Sequence, residues 1–202
     1  MKLEGLLVDL VQIDQRFRTL EHKWRNSDAQ FWAGGGERNF ESARFVEQLL
    51  ARRAERSAEN PASGIWFGIQ TKDGTPIGGI GPSWINPAHR WAMLGAKIGE
   101  PEYWGGGYGT DALLLVIDHC FGWLDLRRLW LFTTSMNLRV QRQMEKVGFS
   151  FEARQRNAAY ADGEWFDWLA YGLMRDEWPG RAAKIERLGL RARVEQDHGE
   201  GT

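Results

Sequence analysis

The sequence predicts an α/β fold around one mixed sheet, antiparallel along one side and crossed in parallel near Leu129. Three patterns in its 202 residues predict this. Residues 65–98 hold short apolar runs separated by turn signals, the mark of a strand meander. The strongest helical pattern, residues 107–124, lies between strand-like runs at 91–98 and 129–133. A helix between two strands joins them in parallel, with a right-handed crossover. The last two apolar runs, 149–154 and 165–173, flank Asp162-Gly163, which marks an antiparallel hairpin.

Each element follows from local pattern. Leu6, Val8 and Leu10 give a first strand, and residues 12–25 a helix, with Ile13, Phe17 and Leu20 spaced by three and four. Residues 26–36, ending in Ala33-Gly34-Gly35-Gly36, read as a loop or lid. Residues 41–58 read as a second helix, apolar at Ala43, Val46, Leu49 and Leu50 and stopped by Asn60-Pro61. A strand at 65–70 turns at Lys72-Asp73-Gly74 and returns as 76–81. In the 107–124 helix, Leu113, Ile117, Phe121 and Leu124 form one stripe, with Ala112, Val116 and Cys120 beside it. Asn137 can cap a helix running to Lys146, and Gly148 supplies its stop. After Pro179 a short helix and a loose polar tail are expected. This divides the chain into a domain at 1–180 and a tail at 181–202.

Composition excludes several classes. A net charge of -1 offers no basic field for nucleic acid. No apolar run reaches the roughly 18 residues of a membrane span. Residues 1–17 carry acids within their apolar stretch and no cleavage pattern, so no signal peptide is expected. The single cysteine, Cys120, excludes a disulfide framework and a Cys-based zinc site, and fits a reducing, cytoplasmic setting. No metal site is suggested.

The chemistry concentrates in Trp104-Gly105-Gly106-Gly107-Tyr108-Gly109-Thr110, between a strand and the long helix. Glycines clear side chains from the turn, so backbone N–H groups and the helix dipole can close on a phosphate or diphosphate. The turn lacks the lysine of a P-loop, and Thr110 stands where a dinucleotide fingerprint needs its third glycine.

With Asn137 and Glu145-Lys146-Val147-Gly148-Phe149 downstream, this turn resembles the GNAT superfamily of acyl-CoA N-acyltransferases. The branch of ribosomal-protein N-terminal acetyltransferases is most similar, through Asp167, Leu169, Tyr171, Leu173, Glu177 and Trp178. The resemblance spans roughly residues 3–178. It implies a twisted, mostly antiparallel sheet with a splayed parallel pair and flanking helices. It also implies acetyl-CoA as cosubstrate and direct attack by a primary amine, either a protein N-terminus or a small molecule. Lys97, Ile98 and Gly99 match the strand whose main chain pairs with the pantetheine arm. Residues 105–110 match the diphosphate cradle, and Asn137 the side chain that reaches the pantetheine. A homodimer is one assembly open to such a chain. An alternative is a non-catalytic acyl-CoA-binding or sensing module; a plain scaffold that does not bind CoA is a third reading.

Against the family pattern, Trp104 replaces Arg or Gln, and Met93 and Met144 occupy positions where Glu and Tyr are usual. Neither methionine moves a proton, yet the amine must become neutral. Glu100, through a water, is then the candidate base, and the Gly99 region supplies an N–H for the thioester oxygen. His89 and Glu102 are weaker candidates, each read more readily as a solvent-facing side chain. Trp32, Trp84 and Tyr160 are candidate acceptor contacts, from an aromatic-rich half that also contains Trp24, Trp66 and Trp91. Cys120, on the buried stripe, argues against a covalent intermediate. Replacing Gly107 with Glu is expected to abolish stabilisation by CoA.

Overall fold

The computed structural model describes residues 2–60 and 64–191. In chain order the elements are β1 (Leu3–Glu4), β2 (Val8–Gln12), α1 (Gln15–Arg25), α2 (Asp28–Ala33) and α3 (Ala43–Glu59). Then come β3 (Phe67–Thr71), β4 (Pro76–Asn86), β5 (Trp91–Ile98), α4 (Tyr108–Gly122) and β6 (Arg128–Thr134). Last are α5 (Leu138–Val147), β7 (Ser150–Ala161), β8 (Glu164–Met174) and α6 (Arg181–Arg187). The strands form one sheet in the order β1-β2-β3-β4-β5-β6-β8-β7. Every neighbouring pair is antiparallel except β5 and β6, which run parallel because α4 connects them.

Alternation along β5 separates the two faces. Ala92 and Leu94 are buried against α4, in a core with Leu114, Ile117, Leu129 and Leu173. The other face carries α1, whose Phe17 and Trp24 stand over Gly68 of β3 and over Gly99. On that face a row of rings crosses the sheet, with Trp91–Trp130, Trp130–Phe132 and Phe132–Trp168 centroids 6.0, 5.0 and 6.1 Å apart.

Local structure departs from the sequence pattern at several points. The first helix starts at Gln15, because the Asp14 carboxylate accepts from the Arg16 N–H and caps it there. The stretch expected to be a loop at 26–36 contains α2, capped by Ser27, whose hydroxyl accepts from Ala29 N–H. The return strand expected to end at 81 runs on to Asn86 through Pro82. Proline is tolerated there because its carbonyl is what the neighbouring chain needs: it accepts from Ile65 N–H at 2.9 Å. After Pro179 the short helix is present as α6, and Ile185 and Leu190 join the main core. The end of the polar tail, residues 192–202, lies outside the described residues.

Candidate active site

The site begins where β5 leaves β6. The two strands pair only from Trp91–Arg128 to Met93–Trp130. Beyond this point Gly99 N–H still donates to Ile77 O at 2.7 Å, so β4 keeps its hold on β5. Ladder alternation then turns the backbone groups of Leu94, Ala96 and Ile98 into the gap. This corrects two expectations from the sequence. Of Lys97, Ile98 and Gly99, only Ile98 presents its main chain to the gap, and the Gly99 amide is already committed to Ile77. Glycine is needed at 99 for another reason: a Cβ there would stand 2.4 Å from the Trp24 ring.

The glycine turn follows. Gly105 and Gly107 have φ of +89° and +95°, a region that disfavours side chains. α4 starts directly after Gly107, so the amides of Gly109 and Thr110 have no acceptor inside the helix. They face a cleft of about 380 Å³ between the turn, the end of β5, α2 and α5, closed on one side by Leu188 and Leu190. Arg139, Arg142 and Lys146 of α5 also line it. Trp104 donates through Nε1 to Ile98 O at 3.0 Å and carries the Arg139 guanidinium 4.3 Å above its ring. Arg139 is exposed at the cleft mouth, where partial desolvation pushes it below its ordinary pKa and a phosphate would be a favourable neighbour. The positive charge that Trp104 does not supply thus comes from α5.

A carboxylate that the sequence pattern did not single out holds the turn in place. Asp111, fully buried in the first turn of α4, accepts from Leu7 N–H at 2.8 Å and Val8 N–H at 3.3 Å. Its other oxygen accepts from Arg181 of α6 at 3.1 Å. One side chain thereby ties the start of β2 and the C-terminal helix to the mouth of α4.

Other candidates sort clearly. Asn137 caps α5 by accepting from Val140 N–H and donates to Trp32 O, both at 3.3 Å. Asn137 and Trp32 line the cleft, whereas Trp84, Tyr160 and His89 line neither cavity. Trp84 leans on Trp130 and Tyr160 on Trp165, with centroids 6.4 and 5.0 Å apart. Asp162 forms a two-pronged ion pair with Arg38. Met144 is core, 4% exposed, rather than cleft lining.

Glu100 is buried beneath α1, where its carboxylate accepts from Lys23 Nζ at 2.6 Å and Trp24 Nε1 at 2.9 Å. Burial pushes its pKa up, but the Lys23 and Trp24 contacts outweigh this and hold it below the usual 4.5. A carboxylate so satisfied takes up a proton poorly, so Glu100 acts as a strut between α1 and the end of β5. Its stabilisation is present above pH 4.5 and is lost as pH falls towards the lower folded value. Glu100→Gln is expected to cost about 1–2 kcal/mol at pH 7. It should also flatten the acid side of the stability profile and leave turnover within a few-fold. A collapse of turnover in a folded variant would restore Glu100 as base.

Cys120 is fully buried on α4, and burial pushes its thiol up to about 12. The folded protein is therefore expected to resist iodoacetamide at neutral pH. Labelling at the rate of a free thiol, followed by mass spectrometry, would contradict this.

A second cavity, about 560 Å³, lies between α1, α3 and the sheet. It shares Ala33, Ala96 and Lys97 with the first, so the two meet on β5 beside the splay. Phe17, Trp24 and Trp66 line it, which places two of the expected aromatic residues around a pocket. At the junction Lys97 Nζ pairs with Glu21 at 2.9 Å, with both side chains largely buried. Among the described residues, no three His, Cys, Asp or Glu gather as a metal ion would require. No helix among them is long and apolar enough to cross a membrane.

Residues 8–150 match the acetyltransferase (GNAT) domain family, and the chain belongs to that family. The uncharacterized N-acetyltransferase YoaA of Bacillus subtilis (strain 168) is 30% identical over 113 residues, which are 55% of this chain and 63% of that protein. The chain thus spans less than two thirds of this curated relative. The fold is shared with RimJ of Mycobacterium smegmatis in complex with CoA-disulfide, with TM-score 0.77, 22% identity and 94% of each chain covered. It is also shared with a Vibrio cholerae spermidine N-acetyltransferase in complex with CoA and spermine, with TM-score 0.75, 19% identity and coverage of 85% of this chain and 97% of that one.

Proposed function

We propose that this chain transfers the acetyl group of acetyl-CoA to a neutral primary amine, by direct attack in a complex holding both. The observation that carries this reading is the meeting of two cavities at Ala96 and Lys97. The first suits a long ligand ending in phosphates. Gly109 and Thr110 amides and the Arg139 side chain face the anionic end, and the main chain of Ala96 and Ile98 faces the arm. An N–H in the gap can accept the negative charge that develops on the thioester oxygen. The second cavity delivers the amine from the opposite side.

The amine must lose a proton before it attacks. Lys97 and Glu21 stand at the junction, hydrogen-bonded to each other. In this ion pair the Glu21 carboxylate is the group that can take up that proton, with the Lys97 ammonium held beside it. Glu21→Gln is expected to lower kcat about tenfold, the low end for loss of proton transfer, while stabilisation by CoA persists. An unchanged kcat and pH profile would remove the pair from the mechanism.

The test is a thermal shift with CoA, alongside thiol release from acetyl-CoA across a panel of peptides and small amines. Stabilisation with release supports transfer. Stabilisation without release from any amine supports the second reading, an acyl-CoA-binding module, which Met93 and the satisfied Glu100 favour. Absence of both ends the two readings together.

A further inference from the structure

The second cavity has an unbalanced charge. Four cationic side chains line it: Arg18, Arg25, Arg53 and Lys97. Glu21 neutralises Lys97 at 2.9 Å, and Glu41 holds Arg25 through two contacts, one of 2.6 Å from Nη2 to Oε1. Arg18 and Arg53 have no side-chain hydrogen bond or ion pair among the described residues. Two exposed guanidinium groups without a dedicated carboxylate therefore stand at the rim of a pocket walled by Phe17, Trp24 and Trp66.

On the reading above, in which this cavity receives the acceptor, we propose that it selects an amine that also carries a carboxylate, bound by Arg53, and excludes polyamines. Arg53 is exposed at the rim of the cavity; partial desolvation there, then the like charge of Arg25, pushes its guanidinium below its ordinary pKa, although Glu21 and Glu41 pull the other way. A guanidinium placed so gains from an anion, and its planar fork suits a carboxylate. A polyamine would bring further positive charge to a pocket that already has an excess, where like-charge juxtaposition is costly. The aromatic walls suit an apolar spacer between the two ends of the acceptor. About 560 Å³ is room for a small molecule of this kind.

The experiment measures kcat/KM for thiol release with glycine, 4-aminobutyrate, 6-aminohexanoate and L-phenylalanine, each beside its carboxamide, and with spermidine. Binding of the same compounds to the CoA-loaded protein is followed by calorimetry. At least one carboxylate is expected to exceed its amide by about tenfold or more, the factor for one charge-assisted contact, and to exceed spermidine. Arg53→Gln should erase the carboxylate–amide difference while stabilisation by CoA is unchanged, and Arg53→Lys should restore part of it. Preference for spermidine, equal use of acids and amides, or an Arg53→Gln variant that keeps the preference would each overturn the proposal. If CoA stabilises the protein but no carboxylated amine binds or reacts, the anion-selective pocket fails and the cofactor cleft stands.

Discussion

Gly109→Glu is expected to abolish CoA-induced thermal stabilisation and to weaken CoA binding at least about 100-fold. A Cβ at 109 would sit 3.5 Å from Ile98 Cγ1 and 3.7 Å from Gln143 Nε2, both on the cleft wall. The backbone there is helical, so the side chain enters the cleft without strain. It would set a carboxylate against the first-turn amides that a phosphate would use, and block by volume as well as by charge. Loss of the several charge-assisted contacts of a diphosphate supports a change of this size. The Gly107→Glu variant suggested by the sequence is a poorer test, because a Cβ at 107 points to Leu7 and Leu190, 3.2 and 3.4 Å away. It would also have to adopt φ near +95°. Failure there would report misfolding rather than a filled cleft. Calorimetry with Gly109→Glu and Gly109→Ala separates charge from bulk. Full CoA affinity in Gly109→Glu would place the phosphates elsewhere.

Asp111→Ala is expected to be the most destabilising single change in the first turn of α4. It strands the Leu7 and Val8 amides and leaves Arg181 without its carboxylate. Arg181 Nε already lacks a partner, so the guanidinium is poorly served by its remaining surroundings. Breaking a buried charge pair of this kind costs about 3 kcal/mol or more. In a chain of 202 residues that is a fall in Tm of about 10 °C. The double variant Asp111→Ala with Arg181→Leu should recover part of the loss, since it removes the uncompensated charge. A Tm within 2 °C or so of the parent for Asp111→Ala would show that α6 and β2 hold the turn without it.

Much of the fold was readable because its signals are local. The glycine turn, the α4 stripe, the Asn137 cap and the Asp162-Gly163 hairpin each reside in a few adjacent residues. The splay was readable only by resemblance. What stayed hidden depends on partners distant in sequence. Glu100 looks like a free loop acid until Lys23 and Trp24, 77 and 76 residues away, close on it. Lys97 and Glu21 are also 76 apart, and neither residue alone signals a largely buried ion pair. α2 was hidden by the adjacent glycines: Gly35 packs against the Trp168 ring and Gly36 against Ala161, and only that tertiary surface makes so short a helix worthwhile. Pro82 suggests a strand end until Ile65 is seen to need its oxygen.

The clasp between Arg181 and Asp111 has a practical side. Leu188 and Leu190 line the cleft at the glycine turn, yet they come after the point where composition turns polar. An expression clone trimmed to the apparent compositional border would remove a wall of that cleft along with its tether. The shortest version worth purifying should therefore keep residue 190, with any affinity tag set beyond it on a spacer.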